Sequence, residues 1–512
     1  MIIHLASEVA PFYKRGGLGD VVGTLPRYLS KNESNTVISF YYKNRMKGKQ
    51  PDFIGSFDVE IQNIIYQFHL YKCGENDVDF YFINMADDLV FSDMESGESD
   101  SVSEDGEKPY GENFPFNVYL YFAKAALKLI ELLKLKPTTI LFHDWHVCGC
   151  FAYPSLIKKI SGENKCNTIV LIHNYEFQGE ILPDQLHLLE EEPLNELIPI
   201  YEEFGMATFF SLAFKNADHI ATVSKTYAKE LLSKKLPHVG MDFLKLIKNK
   251  KIAALANGID PDLWSPEKSP YLEKPYSIHN VFENKSSYKR FLEKKLGFKQ
   301  SEEPIVMLMA RLTEQKGINL IIDLWDSEEN AMKQIKALLD KGIRLLIYGR
   351  PSKGLSGNIH KRLSKASELF PEKFGYIPDY SEKTAHNFLA DADMILCPSL
   401  FEPCGLVQMF GLSFGTVPVV RPVGGLKDTI IHYNENPEEA TGFYIEKFDS
   451  KSLADSLEMA ASIFKKDKML WNKMVENGMK KGFSWSRAIK YYEDFFRQIN
   501  QDSQVKELAL DY

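Results

Sequence analysis

The chain has 512 residues, of which 44% are hydrophobic and 26% charged, and its formal net charge is -9. A chain of this length exceeds one ordinary hydrophobic core, so two large domains are expected. The acidic balance, with no basic tract to offset it, argues against a nucleic-acid partner. No run of about eighteen apolar residues is present, which argues against a membrane span.

Cysteine usage and the start of the chain indicate the compartment. The cysteines form no C-x-x-C pair and no disulfide framework, so a reducing environment fits them best. The chain opens directly on a fold strand, without a basic, apolar or transit-like leader. We therefore expect a cytoplasmic protein. The six cysteines are Cys73, Cys148, Cys150, Cys166, Cys397 and Cys404.

Apolar runs alternate with helical patterns along the whole chain, which predicts an α/β protein. This alternation favours parallel sheets, with ligands at the carboxyl ends of the strands. A boundary between two halves falls in the polar, proline-containing stretch 258–303. The strands are expected at 2–6, 36–41, 79–84, 139–142, 168–172, 305–309, 344–348, 394–397 and 417–420, with a helix at 117–133.

One segment breaks this pattern. Residues 87–107 are rich in acids and serines and nearly free of large apolar groups, with nine acidic side chains among them. Such a stretch cannot bury enough surface to order itself, so we expect a mobile loop.

The N-terminal strand leads into a glycine-rich turn. Lys14 precedes Gly16, Gly17 and Gly19, and Asp20 follows at the start of a helix expected to run to Leu29. The glycines let a ligand approach the backbone, and a helix N-terminus favours an anion. The spacing matches neither the Walker pattern nor the full dinucleotide fingerprint.

The most informative stretch is 398–429. It places Glu402 between the strand 394–397 and Gly405, which is expected to open a helix, and the turn 424–426 follows the next strand. A carboxylate beside backbone N–H groups at a helix start can contact a sugar while the amides hold its phosphate.

These motifs, with others, resemble bacterial glycogen synthases and plant starch synthases. The matching segments keep the order of the family from about residue 1 to residue 490. They are K-x-G-G-L-G-D-V near the N-terminus, H-D-W-H at 143–146, I-H-N at 172–174, V-S-K-T-Y-A-K-E at 223–230, N-G-I-D-P-D-L-W at 257–264, R-L-T-E-Q-K-G at 311–317, F-E-P-C-G-L-x-Q at 401–408 and G-G-L-x-D-T at 424–429.

The resemblance implies two Rossmann-like domains facing a deep cleft, the GT-B glycosyltransferase architecture. An acceptor-side domain would span 1–255 and a donor-side domain 256–484. The segment 485–512 would hold a last helix that returns to the first domain. The loop 87–107 would then be either a solvated insertion or a flap over the acceptor groove.

The resemblance also assigns the chemistry. Arg311 and Lys316 would neutralise the departing diphosphate, and Glu402 would hold a sugar hydroxyl and offset positive charge on the ring. His146 would lie against the donor sugar, whereas His173 could simply brace the cleft wall. The remaining donor-binding candidates are Lys14, Gly16, Gly17, Gly19, Asp20, Asn174, Tyr380, Cys404, Gly405, Leu406, Gly424 and Gly425.

Two acceptor-binding candidates and no metal site complete the expectations. Glu112 and Asn113 loosely match a sugar-contacting segment of the starch synthases. The histidines are scattered, and H-D-W-H lacks the spacing of a zinc helix, so no metal or other cofactor is expected.

The expected activity is addition of glucose to the non-reducing end of an α-1,4-glucan, with retention. ADP-glucose is the donor implied by the resemblance, and UDP-glucose remains open. One alternative is a nucleotide-sugar transferase with a small acceptor, against which E-P-C-G-L and H-D-W-H argue. Another is a catalytically silent glucan-binding paralogue, against which the presence of Arg311, Lys316 and Glu402 argues.

Overall fold

The computed structural model describes residues 1–501, apart from 44, 87–115, 163–165, 234–235, 237–245, 248–249 and 352–355. The chain folds into two compact units. The first comprises Met1–Asn257 and the stretch from Ala488 onward, and the second comprises Gly258–Arg487. The boundaries expected from the sequence were 255/256 and 484/485.

The first unit is built on a mixed sheet. Among the described residues this sheet has nine strands in the order β11-β10-β7-β6-β1-β2-β5-β4-β3, and a separate two-stranded ribbon pairs β8 with β9. The strands are β1 (Ile2–Leu5), β2 (Asn35–Phe40), β3 (Asp52–Ile61), β4 (Ile64–Glu75), β5 (Val78–Met85), β6 (Thr139–His143), β7 (Asn167–Ile172), β8 (Glu180–Ile181), β9 (Ala207–Thr208), β10 (His219–Thr222) and β11 (Ile252–Ala254).

One edge of the first unit is antiparallel, which the alternation of strands and helices did not predict. Strands β3 and β4 form an antiparallel hairpin, and β4 is also antiparallel to β5. Their two-residue turns, 62–63 and 76–77, all have positive φ, which suits the right-handed twist of a hairpin. Much of β3 is exposed, so it lacks the continuous apolar run by which the buried strands were predicted.

The second unit is built on a parallel sheet. Its six described strands follow the order β14-β13-β12-β15-β16-β17, and every pair among them is parallel. Four of them, β12, β13, β15 and β16, have the bounds predicted from their apolar runs, because these strands are buried on both faces. The strands are β12 (Ile305–Met309), β13 (Arg344–Tyr348), β14 (Phe374–Ile377), β15 (Met394–Cys397), β16 (Val417–Val420) and β17 (Phe443–Tyr444).

Helices connect the strands of both sheets. Those of the first unit's N-terminal part are α1 (Gly17–Leu29), α2 (Phe116–Leu132), α3 (Pro154–Ser161), α4 (Glu191–Phe204), α5 (Phe209–Asn216) and α6 (Lys225–Leu232). Those that follow are α7 (Val281–Leu296), α8 (Glu328–Leu339), α9 (Ser356–Leu369), α10 (Glu382–Asp391), α11 (Val407–Ser413), α12 (Gly424–Thr429), α13 (Ser450–Lys466), α14 (Lys468–Lys481) and α15 (Trp485–Asn500).

The last helix, α15, starts in the second unit and packs in the first. The Trp485 amide donates to the Ile259 carbonyl at 3.2 Å. Further along, the Tyr492 ring is buried and its hydroxyl reaches the Leu255 carbonyl at 3.4 Å. Near the end of the helix, the Asn167 side chain donates to Asn500 at 2.8 Å.

Within the described ranges, no helix is both long enough and apolar enough to cross a membrane.

Candidate active site

The candidate residues lie at or beyond the carboxyl ends of strands, one group in each unit. We call Arg311, Lys316, Ser399 and Glu402 of the second unit the charged site. We call Asp144, His146, His173 and Asn174 of the first unit the histidine site. Each is described within its own unit.

The charged site is centred on an ion pair. The Lys316 ammonium lies 2.8 Å from Oε1 and 2.6 Å from Oε2 of Glu402, and the Ser399 hydroxyl donates to Oε2 at 2.9 Å. Glu402 is only 9% exposed. Three charge-assisted or hydroxyl hydrogen bonds therefore fix the carboxylate in one orientation.

Close backbone packing brings Lys316 to Glu402. The Leu400 amide donates to the Gln315 carbonyl at 2.7 Å, which joins the loop after β12 to the loop after β15. Gly317 has φ +74°, and a Cβ there would overlap the Pro398 carbonyl oxygen. Only glycine fits this position, so the glycine of R-L-T-E-Q-K-G is what allows the two loops to meet.

The turn at Gly424 and Gly425 packs directly against the backbone of Glu402. The Gly425 amide donates to the Glu402 carbonyl at 3.0 Å. A Cβ at Gly424, where φ is +45°, would overlap that same carbonyl oxygen, and a Cβ at Gly425 would overlap the Cys404 carbonyl. The turn at Gly424 and Gly425 and the segment from Glu402 to Gly405 therefore pack closely against each other.

The helices at these turns differ from the expectation. Gly405 was expected to open a helix, but α11 begins only at Val407 and has seven residues. Gly405 instead takes φ +67°, and the Gln408 side chain donates to its carbonyl at 2.6 Å. Gly405 is therefore part of the turn that precedes the helix, and Leu406 rather than Gly405 caps α11.

The other candidates of the second unit are more exposed than Glu402. The Arg311 side chain is exposed and forms no ion pair with any residue that the structure describes. Tyr380 is 40% exposed and stacks on Tyr348 with ring centroids 5.9 Å apart. Cys404 and Leu406 are half-buried beside the Glu402 turn.

The histidine site is organised by a buried carboxyl group. Oδ1 of Asp144 accepts hydrogen bonds from the backbone amides of His173, at 2.7 Å, and Asn174, at 3.2 Å. Asp144 itself has φ +63°. Burial raises the pKa of Asp144 to about 7 although both amides oppose the shift. The turn after β6 is thereby tied to the turn after β7.

His146 lies in the 3-10 helix that follows Asp144. Its ring stacks on Trp145 with centroids 4.0 Å apart. Burial lowers the pKa of His146 to about 3, and charge from Arg15 and His173 adds to the effect. Its Nδ1 is buried and has no hydrogen-bond partner among the described residues. His146 is therefore a neutral ring at neutral pH.

The N-terminal glycine turn contains a buried acid of its own. The Glu8 carboxylate accepts hydrogen bonds from the amides of Arg15 and Gly16, the latter at 3.0 Å. Burial raises the pKa of Glu8. The Lys14 ammonium lies 2.5 Å from Asp20. Because Glu8 uses two amides of the turn, an anion bound there would have to use those of the first turn of α1.

Sequence reasoning missed the side chains that hold the candidates in place. Ser399 orients Glu402, Gln408 holds the Gly405 turn, and Glu8 holds the N-terminal turn. A weak signal for each is present in the sequence. Ser399 and Gln408 lie within six residues of Glu402, and Glu8 is an acid in the short loop that follows the buried strand β1. The expected acceptor residues Glu112 and Asn113, and the loop 87–107, lie outside the described residues.

No group of three or more histidine, cysteine or acidic side chains in the described ranges is arranged to hold a metal ion. All six cysteines have free thiols, and five of them are buried.

Comparison with known proteins finds a different family model in each unit and relatives over nearly the whole chain. The starch synthase catalytic domain model matches residues 1–248, and the glycosyl transferases group 1 model matches residues 289–481. Glycogen synthases from Mycoplasma mobile and Streptococcus mutans are each 30% identical over 97% of this chain, and the matches cover 100% and 99% of those proteins.

Solved structures agree with the sequence matches. The catalytic domain of starch synthase IV from Arabidopsis thaliana, bound to ADP and acarbose, matches with a TM-score of 0.82 at 26% identity. That match covers 97% of this chain and 98% of the other. Sucrose-phosphate synthase from Thermosynechococcus elongatus matches with a TM-score of 0.58 at 14% identity over 98% of this chain and 99% of the other, which shows a shared fold only.

The fold and the paired family matches define a two-domain α/β glycosyltransferase of the GT-B type. Within that class, the chain belongs to the glycogen synthase and starch synthase family. It is accordingly an enzyme that uses a nucleotide-sugar donor and a glucan acceptor.

Proposed function

We propose that the enzyme transfers glucose from ADP-glucose to the non-reducing end of an α-1,4-glucan, with retention of the anomeric configuration. The observation that carries the proposal is the contact between Lys316 and the buried carboxylate of Glu402. The ADP bound in the Arabidopsis starch synthase IV structure supports an adenine nucleotide.

The cations of the charged site can stabilise the negative charge that develops on a departing nucleoside diphosphate. The Lys316 ammonium carries three N–H donors, and the two oxygens of Glu402 occupy at most two of them. The third donor and the exposed Arg311 guanidinium are available to phosphate oxygens as negative charge develops on them. Positioned cations of this kind stabilise the transition state more than the ground state.

We assign Glu402 an electrostatic role rather than a covalent one. Lys316 and Ser399 stabilise its carboxylate as an anion, which lowers its strength as a nucleophile. A fixed negative charge beside the sugar instead stabilises an oxocarbenium-like ring and can accept a hydrogen bond from a glucose hydroxyl.

The first unit would supply neutral recognition groups. The neutral His146 ring is only partly buried, so its accessible part can contact a sugar hydroxyl. We also assign Lys14 of this unit to a phosphate or to the acceptor region, and Asn174 to the donor. Tyr380 of the second unit is likewise assigned to the donor. Glu112 and Asn113 remain the proposed acceptor contacts.

Arg311 and Lys316 provide the positive charge that a divalent metal would otherwise supply, so we propose that transfer needs no metal or other cofactor. The six free thiols fit a cytoplasmic enzyme.

The proposal is tested by incubating the purified protein with glycogen and labelled ADP-glucose or UDP-glucose, with and without a chelator. We expect label in the polymer from ADP-glucose, in newly formed α-1,4 linkages at chain ends, and an equal rate with the chelator. Preferential use of UDP-glucose would overturn the donor assignment. A β-linked product would overturn retention, and loss of activity with the chelator would overturn metal independence.

A further inference from the structure

A row of hydrogen-bonded side chains crosses four neighbouring strands of the first unit. The Asn35 Oδ1 atom lies 2.9 Å from Nε2 of His4, and Nδ1 of His4 lies 3.1 Å from Nε2 of His143. Nδ1 of His143 then lies 3.0 Å from Nε2 of His173. We call these four residues the histidine relay.

The relay follows the register of the sheet. Asn35 pairs with Ile2 and His4 lies two residues further along β1. His4 pairs with Leu141, and His143 lies two residues further along β6. His143 pairs with Leu171, and His173 lies two residues beyond that position.

A step of two residues keeps the side chain on the same face of a strand. The relay is thus a diagonal on one face of the sheet. It runs from the first residue of β2 to the loop after β7, where the His173 amide is bonded to Asp144.

The hydrogen bonds of Asn35 determine which nitrogen of His4 carries the proton. The Asn35 amide nitrogen donates to the Glu33 carbonyl at 2.6 Å, so its oxygen is the atom that faces His4. An oxygen can only accept, and the proton of His4 must therefore be on Nε2.

The protonated nitrogens of His143 and His173 follow in the same way. A neutral His4 with its proton on Nε2 offers a lone pair at Nδ1, so Nε2 of His143 must donate to it. His143 then offers its Nδ1 to Nε2–H of His173. The end result is a His173 ring with its proton on Nε2 and a lone pair on Nδ1.

Burial keeps the rings neutral, as this reasoning requires. His4 and His143 are fully buried and His173 is half-buried. Burial lowers the pKa of His4 to about 4 and that of His173 to about 3, and it lowers that of His143 well below its usual range. No position in the relay then carries a second proton at neutral pH.

We propose that Asn35, His4 and His143 are positioning residues that fix His173 in the Nε2–H tautomer, so that its Nδ1 accepts a hydrogen bond from a ligand hydroxyl. His173 is half-exposed at the carboxyl end of the sheet, beside His146 and Asn174, and its Nδ1 has no partner among the described residues. If the enzyme transfers glucose as proposed above, that hydroxyl belongs to a glucose unit.

The direct test is nitrogen NMR of the full-length protein labelled in the histidine rings. The His173 signals are identified by their loss in His173→Gln. We expect Nδ1 of His173 to show the shift of a non-protonated nitrogen and Nε2 that of a protonated one. A proton on Nδ1 in the wild-type protein would overturn the proposal, whether or not the protein transfers glucose.

Variants of His143 test the role of the relay in catalysis. A glutamine can donate to His4 and accept from His173, whereas a leucine can do neither. We expect His143→Leu to shift His173 toward the other tautomer and to lower kcat about tenfold, the lower end of the loss known for metal-ligating histidines deprived of their hydrogen-bond partner. His143→Gln should restore both the tautomer and most of the rate.

A buried histidine in the second unit serves as the matched control. His386 is fully buried and bonded to Ser269 at 2.8 Å, so His386→Leu should cost stability but leave the His173 signals unchanged. Equal loss of rate in His143→Leu and His143→Gln, with an unchanged His173 tautomer, would overturn the positioning role. An inactive wild-type protein with the expected tautomer would instead count against the proposed function alone.

Discussion

The carboxyl edges of the two sheets carry polar groups of different kinds. In the second unit these groups are charges held by side-chain contacts, with Lys316 bonded to Glu402. In the first unit Asp144 is held by backbone amides, and His146 and His173 are neutral rings with lowered pKa values. Under the proposed function, the second unit's edge would respond to charge that changes during transfer, and the first unit's edge would recognise neutral hydroxyl groups.

The largest effect is expected from removing a cation of the charged site. Lys316→Ala should lower kcat by about a hundredfold or more, and Arg311→Ala by at least about tenfold, because each leaves diphosphate charge uncompensated. Steady-state kinetics measures both. Lys341→Ala, which breaks the ion pair with Glu458 elsewhere in the second unit, is the matched control and should retain the wild-type rate. Wild-type turnover in both Lys316→Ala and Arg311→Ala would contradict the assignment.

Removing only the charge of Glu402 should separate binding from transfer. Glu402→Gln keeps the shape of the side chain, so donor affinity should stay within a few-fold while most of the transfer rate is lost. Calorimetric titration with the nucleotide sugar and rate measurements on the same preparation check this. An unchanged rate would show that Glu402 serves the turn alone.

A glycine substitution probes how tightly the charged site is packed. Gly424→Ala would place a methyl group on the Glu402 carbonyl oxygen, so the Glu402 turn must move and kcat should fall by about tenfold or more. Gly297→Ala is the matched control. Gly297 also has positive φ but no atom within 4 Å of an added Cβ, so it should cost about 1–2 kcal/mol of stability with kcat unchanged. Equal activity in the two variants would argue against the packed arrangement.

The smallest effect concerns acid stability of the first unit. Four histidines of the first unit have lowered pKa values in the folded state: His4, His143, His146 and His173. As pH falls from about 6.5 toward 4, they bind protons in the unfolded chain but not in the folded one, so the free energy of unfolding decreases. Asp144 and Glu8, with raised pKa values, act in the opposite direction.

The four histidines outnumber these two acids, so a net loss of stability is expected on acidification. Hydrogen exchange at pH 7 and pH 5 should show greater loss of protection in the first unit than in the second. In the second unit the lowered pKa values of His386 and His432 are opposed by Asp391, whose pKa burial raises to about 8. Greater loss in the second unit would contradict this account.

The sequence predicted most buried strands well, but it missed exposed strands and some short buried ones such as β10 and β17. The second-unit strands β12, β13, β15 and β16 were placed correctly because continuous apolar runs mark strands covered on both faces. The hairpin of β3 and β4 was missed because its exposed face interrupts any such run.

The candidate site divides in the same way. Glycine-rich turns and the acid between them are local patterns and could be read from the sequence. The contact between Lys316 and Glu402 joins residues 86 positions apart, and the relay from Asn35 to His173 depends on the register of four strands. Such partners are set by tertiary packing, which spacing along one sequence does not encode.

The path of helix α15 has a consequence for how the chain is made. The first unit consists of Met1–Asn257 and of part of α15, whose Tyr492 and Phe495 side chains are buried. A ribosome therefore releases all of the second unit before it supplies the helix that covers part of the first. Domains generally fold in the order of synthesis, but here the first unit is completed only after the second unit has been made, and a chain cut short before α15 leaves apolar surface of the first unit uncovered.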